Sequence, residues 1–375
     1  MTIRVLHLID SGGMYGAEVM LLNLVEEQTR MGLKPVILSA GTPGIEEKQL
    51  EAEARKRGLP VVAFRMKAGL NLIKGLDILR YSIREGFHIL HSHGYKFDIL
   101  LGCLPRKIRK IPLVMTVHGY VHAPLFSKMR LYQKLDRLCL KRADYIVFVS
   151  DETGKKTGIK SSRATVINNG IDISSEADLP DENEAIGLEA IFSRSGFIVG
   201  AFGRLSSEKG FEYLIAAFKK VQEVVPESSL VIWGEGYLKD ELEKIVRDND
   251  LEERVIFPGY TSHVMHYLRK INVLVISSLT EGLPIILLEA MKNKVPTIAT
   301  DVGAIPEVLD YGRCGVLVPA CDVNALAREI VSLSKSTSEA HSMATCAYER
   351  VSVHYSRGMM TKRYVDLYNR MLGAT

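Results

Sequence analysis

Two glutamates, Glu281 and Glu289, frame the stretch SLTEGLPIILLEAM, residues 278–291. Between them Ile285, Ile286, Leu287 and Leu288 predict a segment turned into a core, and a carboxylate closes it. A buried carboxylate is costly without a partner. Glu289 is therefore expected either to accept hydrogen bonds from a vicinal diol, such as a ribose or hexose, or to pair with Lys292 or Lys294. A second group of residues lies in VGAFGRLSSEKGFEYLIAAF, where Arg204 follows an apolar run and Lys209 precedes a helical pattern. Cations are disfavoured at a helix N-terminus, because the dipole attracts anions there. A bound diphosphate would account for both: arginine offers a planar fork, lysine a point charge, and the helix end its N–H groups. The bland alternative is a pair of solvated surface cations.

Other candidates are less specific. LIDSGGMYGAEVMLLNL reads as strand, glycine-rich loop and helix, with Gly12, Gly13 and Gly16 in the loop. Small residues let a ligand approach backbone N–H groups, although a plain tight turn would use the same glycines. The spacing is not G-x-G-x-x-G, no acid ends the second strand, and G-x-x-x-x-G-K-[ST] is absent, so dinucleotide and P-loop sites are disfavoured. Asp248-Asn249-Asp250 has the form of a metal-binding D-x-D but falls between a helical run and a strand, where a surface turn is expected. His91 and His93 alternate on one strand without the spacing of a ligand cluster, and His122 offers little to argue from.

These residues need a scaffold. IRVLHLI, KPVILS, PVVAF, FHILHSH, PLVMTVH and DYIVFVS are short Val- and Ile-rich runs separated by helical periodicity. Continuous apolar strands alternating with helices imply parallel βαβ units. A polar, acidic stretch follows, then a second series: FIVGAFG, SLVIWG, RVIFPG, NVLVISS, VPTIATD and CGVLVP. The fold class is thus α/β, with two doubly wound, Rossmann-like domains. The expected boundaries are 1–168, a linker or hinge at 169–195, a second domain at 196–354, and a C-terminal helix at 355–375 that packs back on the first domain. In such sheets ligands collect beyond the carboxyl ends of the strands, where the candidate residues lie.

The composition of the 375 residues, 47% apolar and 25% charged, is that of a globular chain. The net charge of +4 is unevenly spread: residues 106–163 hold fourteen Lys or Arg against four Asp or Glu. Such asymmetry points to an anionic partner or to a solvated face. In FSKMRLYQKLDRLCLKR, Phe126, Met129, Leu131, Leu135, Leu138 and Cys139 recur among cations, as in a helix resting on an anionic membrane or facing a core. The five cysteines contain no C-x-x-C and are read as thiols of a reducing compartment. With no signal peptide evident and no apolar run long enough to span a bilayer, the expectation is a cytoplasmic protein, free or peripheral at the inner face of the membrane.

Taken together, YGAE, VMTVHGY, VINNGID, FGRLSSEKGF, WGEGYLKDEL, EGLPIILLEAM, ATDVGAIPEV and YSRGMMTKRYVDLY resemble a retaining glycosyltransferase of family 4 (glycosyltransferase group 1), with the GT-B architecture of two Rossmann-like domains facing a cleft. The resemblance spans nearly the whole chain. It implies transfer of a hexose-type sugar from a nucleotide-sugar to a glycan, lipid-linked saccharide or small-molecule acceptor, with no cofactor, no metal and no nucleic acid. It also implies residue roles. Arg204 and Lys209 would grip the diphosphate. Glu289 would hold the ribose and Glu281 the transferred sugar, with Gly282, Leu283 and Pro284 adding backbone contacts. Gly16 would let the first loop approach the diphosphate, His118 would touch the donor sugar, and Gly259 and Tyr260 would lie near the base. The chain departs from the family pattern at Ile271-Asn272, where Ala-Asp is common, and at Ser277 and Asn168, where proline is frequent. Two other readings are an epimerase or hydrolase of nucleotide-sugars on the same fold, and a catalytically silent binding subunit.

Overall fold

A computed structural model of the chain describes residues 2–67, 69–119, 128–159, 161–173, 188–189 and 191–373. His122, Phe126 and most of the expected linker lie outside the described residues, as does the side chain of Met129. Two compact units emerge: Met1–Asp172 with Arg357–Thr375, and Ile173–Ser356.

In the first unit the strands are β1 (Arg4–Ile9), β2 (Lys34–Gly41), β3 (Val61–Arg65), β4 (Ile89–Ser92), β5 (Leu113–Val117), β6 (Tyr145–Phe148) and β7 (Ala164–Val166). They form one parallel sheet in the order β3-β2-β1-β4-β5-β6-β7. Residues of β1 alternate between its faces, as the two-residue period of a strand requires. Leu6 and Leu8 join a core with Leu100, Leu113 and Met115. Ile9 joins another with Leu21, Leu22 and Val25 of the helix Gly16–Arg30. The C-terminal helix Arg357–Leu372 packs against Gly16–Arg30, burying Tyr364, Leu367 and Tyr368. Arg357 ties its start to Glu26, Glu27 and Asp172 at 3.0–3.2 Å. Three-residue β7 was not among the expected strands; it is too short for a period of two to register, and all of it is half-buried.

Strands β8 (Phe197–Phe202), β9 (Ser228–Trp233), β10 (Val255–Gly259), β11 (Val273–Ile276), β12 (Thr297–Thr300) and β13 (Val316–Val318) build the second unit. They too run parallel, in the order β10-β9-β8-β11-β12-β13. In both sheets the order reverses after the first strand of the unit, which creates a switch point between β1 and β4 and between β8 and β11. Asn272, at one of the departures from the family pattern, accepts the Ile198 N–H on its Oδ1 at 2.7 Å and so ties β11 to β8.

One expectation about cysteine changes. Cys314 and Cys346 are joined by a disulfide across 32 residues, with Cα atoms 5.2 Å apart. Sequence spacing could not suggest it, because packing of the helix Thr337–His354 brings the two together. Cys103, Cys139 and Cys321 are thiols.

Candidate active site

The loop after β8 carries Arg204 and Lys209, and the loop after β11 carries Glu281. Across the β8/β11 switch point the Lys209 ammonium donates to Glu281 Oε1 at 2.5 Å. Ser278 Oγ donates to the same oxygen at 2.7 Å. The pair is largely enclosed, the two side chains being 22% and 11% exposed. The neighbouring Arg204 is exposed. Lys209 closes a short 3-10 turn, Ser207–Lys209, and Gly210 separates it from the helix Phe211–Val224.

The two loops are sewn together by backbone and hydroxyl groups. Ser277 Oγ donates to the Lys209 carbonyl at 2.9 Å, and the Leu279 N–H to the Glu208 carbonyl at 2.8 Å. Ser277 thus supplies a tie that the proline frequent in the family could not make. Behind them, Thr300 Oγ1 donates to the Ser278 carbonyl at 2.6 Å, and the Ala304 N–H to the Gly282 carbonyl at 2.9 Å. Gly303 makes this approach possible: with φ at +63°, a Cβ there would sit 2.3 Å from the Glu281 carbonyl oxygen. On the other side, Gly234 N–H donates to the Gly259 carbonyl at 2.8 Å, and a Cβ on Gly234 would lie 1.8 Å from the Gly203 carbonyl. Gly259 therefore ends β10 as part of this interlock, and the following Tyr260 is exposed.

Gly282 is half-buried and Leu283 and Pro284 are buried ahead of the helix Ile285–Lys292. Pro284 occupies the N-cap, with φ −72° and ψ 124°, one position earlier than the first-turn placement its sequence position suggested. Glu289 stands in the second turn and is half-buried. The carboxylate expected to be buried is half-buried, because Glu289 lies three residues after half-buried Ile286 and four after buried Ile285, at the edge of the buried face. Asp248-Asn249-Asp250 is a turn after the helix Lys239–Arg247, with Asp250 at φ +57°.

In the first unit Gly16 is the first residue of its helix, and His118 follows β5 directly, half-buried. Behind His118 lies a group of histidines. His7 and His91 are register partners on β1 and β4, and His93 follows β4; all three are buried. One ring nitrogen of each lies within 4.8 Å of those of the other two, as a metal site would require. Each, however, already has a hydrogen-bond partner. His7 reaches His93 at 3.0 Å and Gln28 at 2.9 Å. His91 reaches Tyr368 and Thr116, both at 2.7 Å, and His93 reaches His118 at 3.3 Å. All six ring nitrogens are so engaged, and the arrangement fits a neutral hydrogen-bonded network better than a cation. Burial lowers the pKa of His7 and of His118 to about 4. It holds His91 and His93 well below the usual imidazole range, with neighbouring imidazoles adding to the effect. The sequence reading flagged His91 and His93 but missed His7, Gln28, Tyr364 and Tyr368, which no local spacing connects.

Comparison with known proteins follows the same division. Residues 14–175 match the profile of "Glycosyltransferase Family 4", and residues 192–350 that of "Glycosyl transferases group 1". The chain belongs to glycosyltransferase family 4. It is 24% identical over 363 residues to the lipopolysaccharide core biosynthesis mannosyltransferase LpcC of Rhizobium leguminosarum bv. viciae, covering 96% of this chain and 94% of that one. With the UDP-Gal:alpha-D-GlcNAc-diphosphoundecaprenol alpha-1,3-galactosyltransferase of Escherichia coli it shares 25% identity over 279 residues, 72% of this chain and 70% of that one. Among solved structures, Anabaena HepE in complex with UDP-glucose superimposes with a TM-score of 0.84 at 19% identity, covering 98% and 100% of the two chains. This glycosyltransferase therefore has the GT-B fold class, two Rossmann-like parallel α/β units. Among its described residues no helix is long and apolar enough to cross a membrane.

Proposed function

We propose that the protein is a retaining, metal-independent glycosyltransferase that moves a hexose-type sugar from a nucleotide-sugar to a glycan, lipid-linked saccharide or small-molecule acceptor. The carrying observation is the Lys209–Glu281 pair at the second unit's switch point. Such a pair is a poised receptor for a diphosphate sugar. The ammonium and the exposed Arg204 take the negative charge that grows on the leaving nucleoside diphosphate, while Glu281 accepts from sugar hydroxyls. Fixed cations then act where other transferases use a divalent ion. The reaction proceeds by front-face displacement through an oxocarbenium-like state, the departing phosphate taking the acceptor's proton. Glu289 holds the ribose, Leu283 and Pro284 add backbone contacts, Gly259 and Tyr260 flank the base, and Gly16 and His118 keep the roles that the family resemblance gives them, at the diphosphate and at the sugar. Mannose, galactose and glucose all appear among the relatives' names, so the family alone does not choose the sugar.

The acceptor is read as lipid-linked, with the enzyme peripheral at the cytoplasmic leaflet. In the helix Lys128–Leu140 the acid Asp136 is buried, whereas Leu131 and Leu138 are each 60% exposed among exposed Lys134, Arg137 and Lys141. Exposed apolar side chains set among cations are what a helix resting on an anionic surface would carry, while Cys139 and Leu140 of the same helix are buried. Cations at an anionic leaflet contribute about 1 kcal/mol each.

The test is a calorimetric and melting panel of nucleotide-sugars, since a ligand that binds only the folded state raises its melting temperature. The single tryptophan, Trp233, is buried against Phe202 in the second unit and reports its unfolding. One nucleotide-sugar should raise that transition. Lys209→Ala should abolish most transfer with the fold intact; near-normal turnover removes the diphosphate assignment.

A further inference from the structure

We infer that Gln28 is a positioning residue for His118, determining through His7 and His93 which of its ring nitrogens carries the proton. The chain of contacts is continuous. Gln28 Oε1 lies 2.9 Å from His7 Nε2, His7 Nδ1 3.0 Å from His93 Nε2, and His93 Nδ1 3.3 Å from His118 Nε2. An amide oxygen only accepts. It therefore requires the proton of His7 on Nε2. A neutral imidazole has one proton, so His7 Nδ1 is an acceptor and His93 must donate from Nε2. By the same step His93 Nδ1 accepts, and His118 must donate from Nε2. His118 is left with Nδ1 as an acceptor.

The amide end is itself held. Gln28 Nε2 donates to the Tyr368 hydroxyl at 3.4 Å, and that hydroxyl lies 2.7 Å from His91 Nδ1. His91 Nε2 lies 2.7 Å from Thr116 Oγ1, which is 3.1 Å from the Tyr364 hydroxyl. Reversing the Gln28 amide would invert the protons of His7, His93 and His118 together, whereas the branch through Tyr368 and His91 passes through hydroxyls that can turn either way. Burial keeps the imidazoles uncharged near neutral pH, which preserves the single-proton rule on which the chain depends. The functional consequence rests on the reading of His118 as a contact of the donor sugar: the ring then offers a lone pair to a sugar hydroxyl and never a positive charge.

The experiment uses the full chain with 15N-labelled histidine. Long-range proton–nitrogen correlation spectra at neutral pH report which nitrogen of each ring is protonated, with single histidine replacements for assignment. His7, His93 and His118 should all be protonated at Nε2. Gln28→Leu should turn His118 into a mixture of both tautomers, and Tyr368→Phe, which frees the amide end, should move it the same way. Thr116→Val, on the other branch beyond His91, should leave His118 unchanged. A proton on Nδ1 of His118 in the unsubstituted protein, or an unchanged His118 in both the Gln28 and Tyr368 variants, overturns the inference. Transfer assays then separate it from the sugar-contact reading. Gln28→Leu should lower kcat roughly tenfold, as expected for one oriented hydrogen bond, with the donor KM little changed. If the tautomer scrambles and kcat stays, the relay stands and the sugar contact of His118 falls.

Discussion

Acidification should expose the histidine network directly. His7 is fully buried, and burial lowers its pKa from 6.5 to about 4. Between those values the unfolded chain holds a proton at His7 that the folded chain does not. Unfolding therefore takes up protons, and stability must fall as pH drops from 6.5 to 4; above 6.5 both states are neutral and the dependence vanishes. At about 1.4 kcal/mol per pH unit for each proton, the loss from His7 alone is roughly 3 kcal/mol. His91 and His93 act in the same sense. Asp98 opposes them: burial, and then the charge of Asp136, hold its carboxyl well above the usual range, so its contribution is lost as pH rises. The clean measure is thus a difference. Urea unfolding of the parent and of His7→Gln should be followed between pH 7 and 4 by far-UV circular dichroism. Trp233 fluorescence runs in parallel for the second unit, because each unit has its own core. The absolute stability of the variant is free to differ. The stability gap between the two proteins should shrink by about 3 kcal/mol from pH 7 to pH 4. A gap that stays constant refutes the claim that His7 is buried uncharged.

Gly303→Ala should cost about 1–2 kcal/mol for its left-handed backbone alone and displace the Glu281 carbonyl, reducing transfer at least tenfold, which steady-state kinetics would detect; a fully active variant means the loop is not held as described. Glu289→Ala should weaken donor binding by about tenfold or more, the worth of a hydrogen bond to a charged group, and calorimetry with unchanged affinity would remove the ribose assignment. Arg109 is buried, donates to the Leu101 and Leu104 carbonyls at 3.2 Å and pairs with Asp144. Its replacement by alanine should destabilise the first unit by roughly 3–5 kcal/mol, readable as a lower urea midpoint, while the Trp233 transition stays where it was.

Much of the fold was legible because parallel strands covered on both faces are written as apolar runs, and loops with a cation or an acid mark their carboxyl ends. Arg204, Lys209 and Glu281 could be picked out for that reason. That Lys209 and Glu281 touch could not, since the contact depends on Gly303, Ser277 and Thr300 setting loop heights across three strands. The histidine network was hidden for a different reason. His91 and Tyr368 are 277 positions apart, and Gln28 and Tyr368 are 340 apart, so their meeting follows only from where the last helix lands. The degree of burial of Glu289 was misjudged because four consecutive apolar residues look alike in sequence, whereas a helix exposes every third or fourth.

The last helix also bears on how the protein is made. Residues 357–372 complete a unit that begins at the first strand, and the whole second unit is synthesised in between. On the ribosome, the first half has its histidines and the face beneath Tyr364 and Tyr368 uncovered until residues 357–372 have been made. The second half can close as soon as it emerges. A chain interrupted within residues 357–372 would then damage the unit whose strands are translated first, and spare the unit made after them.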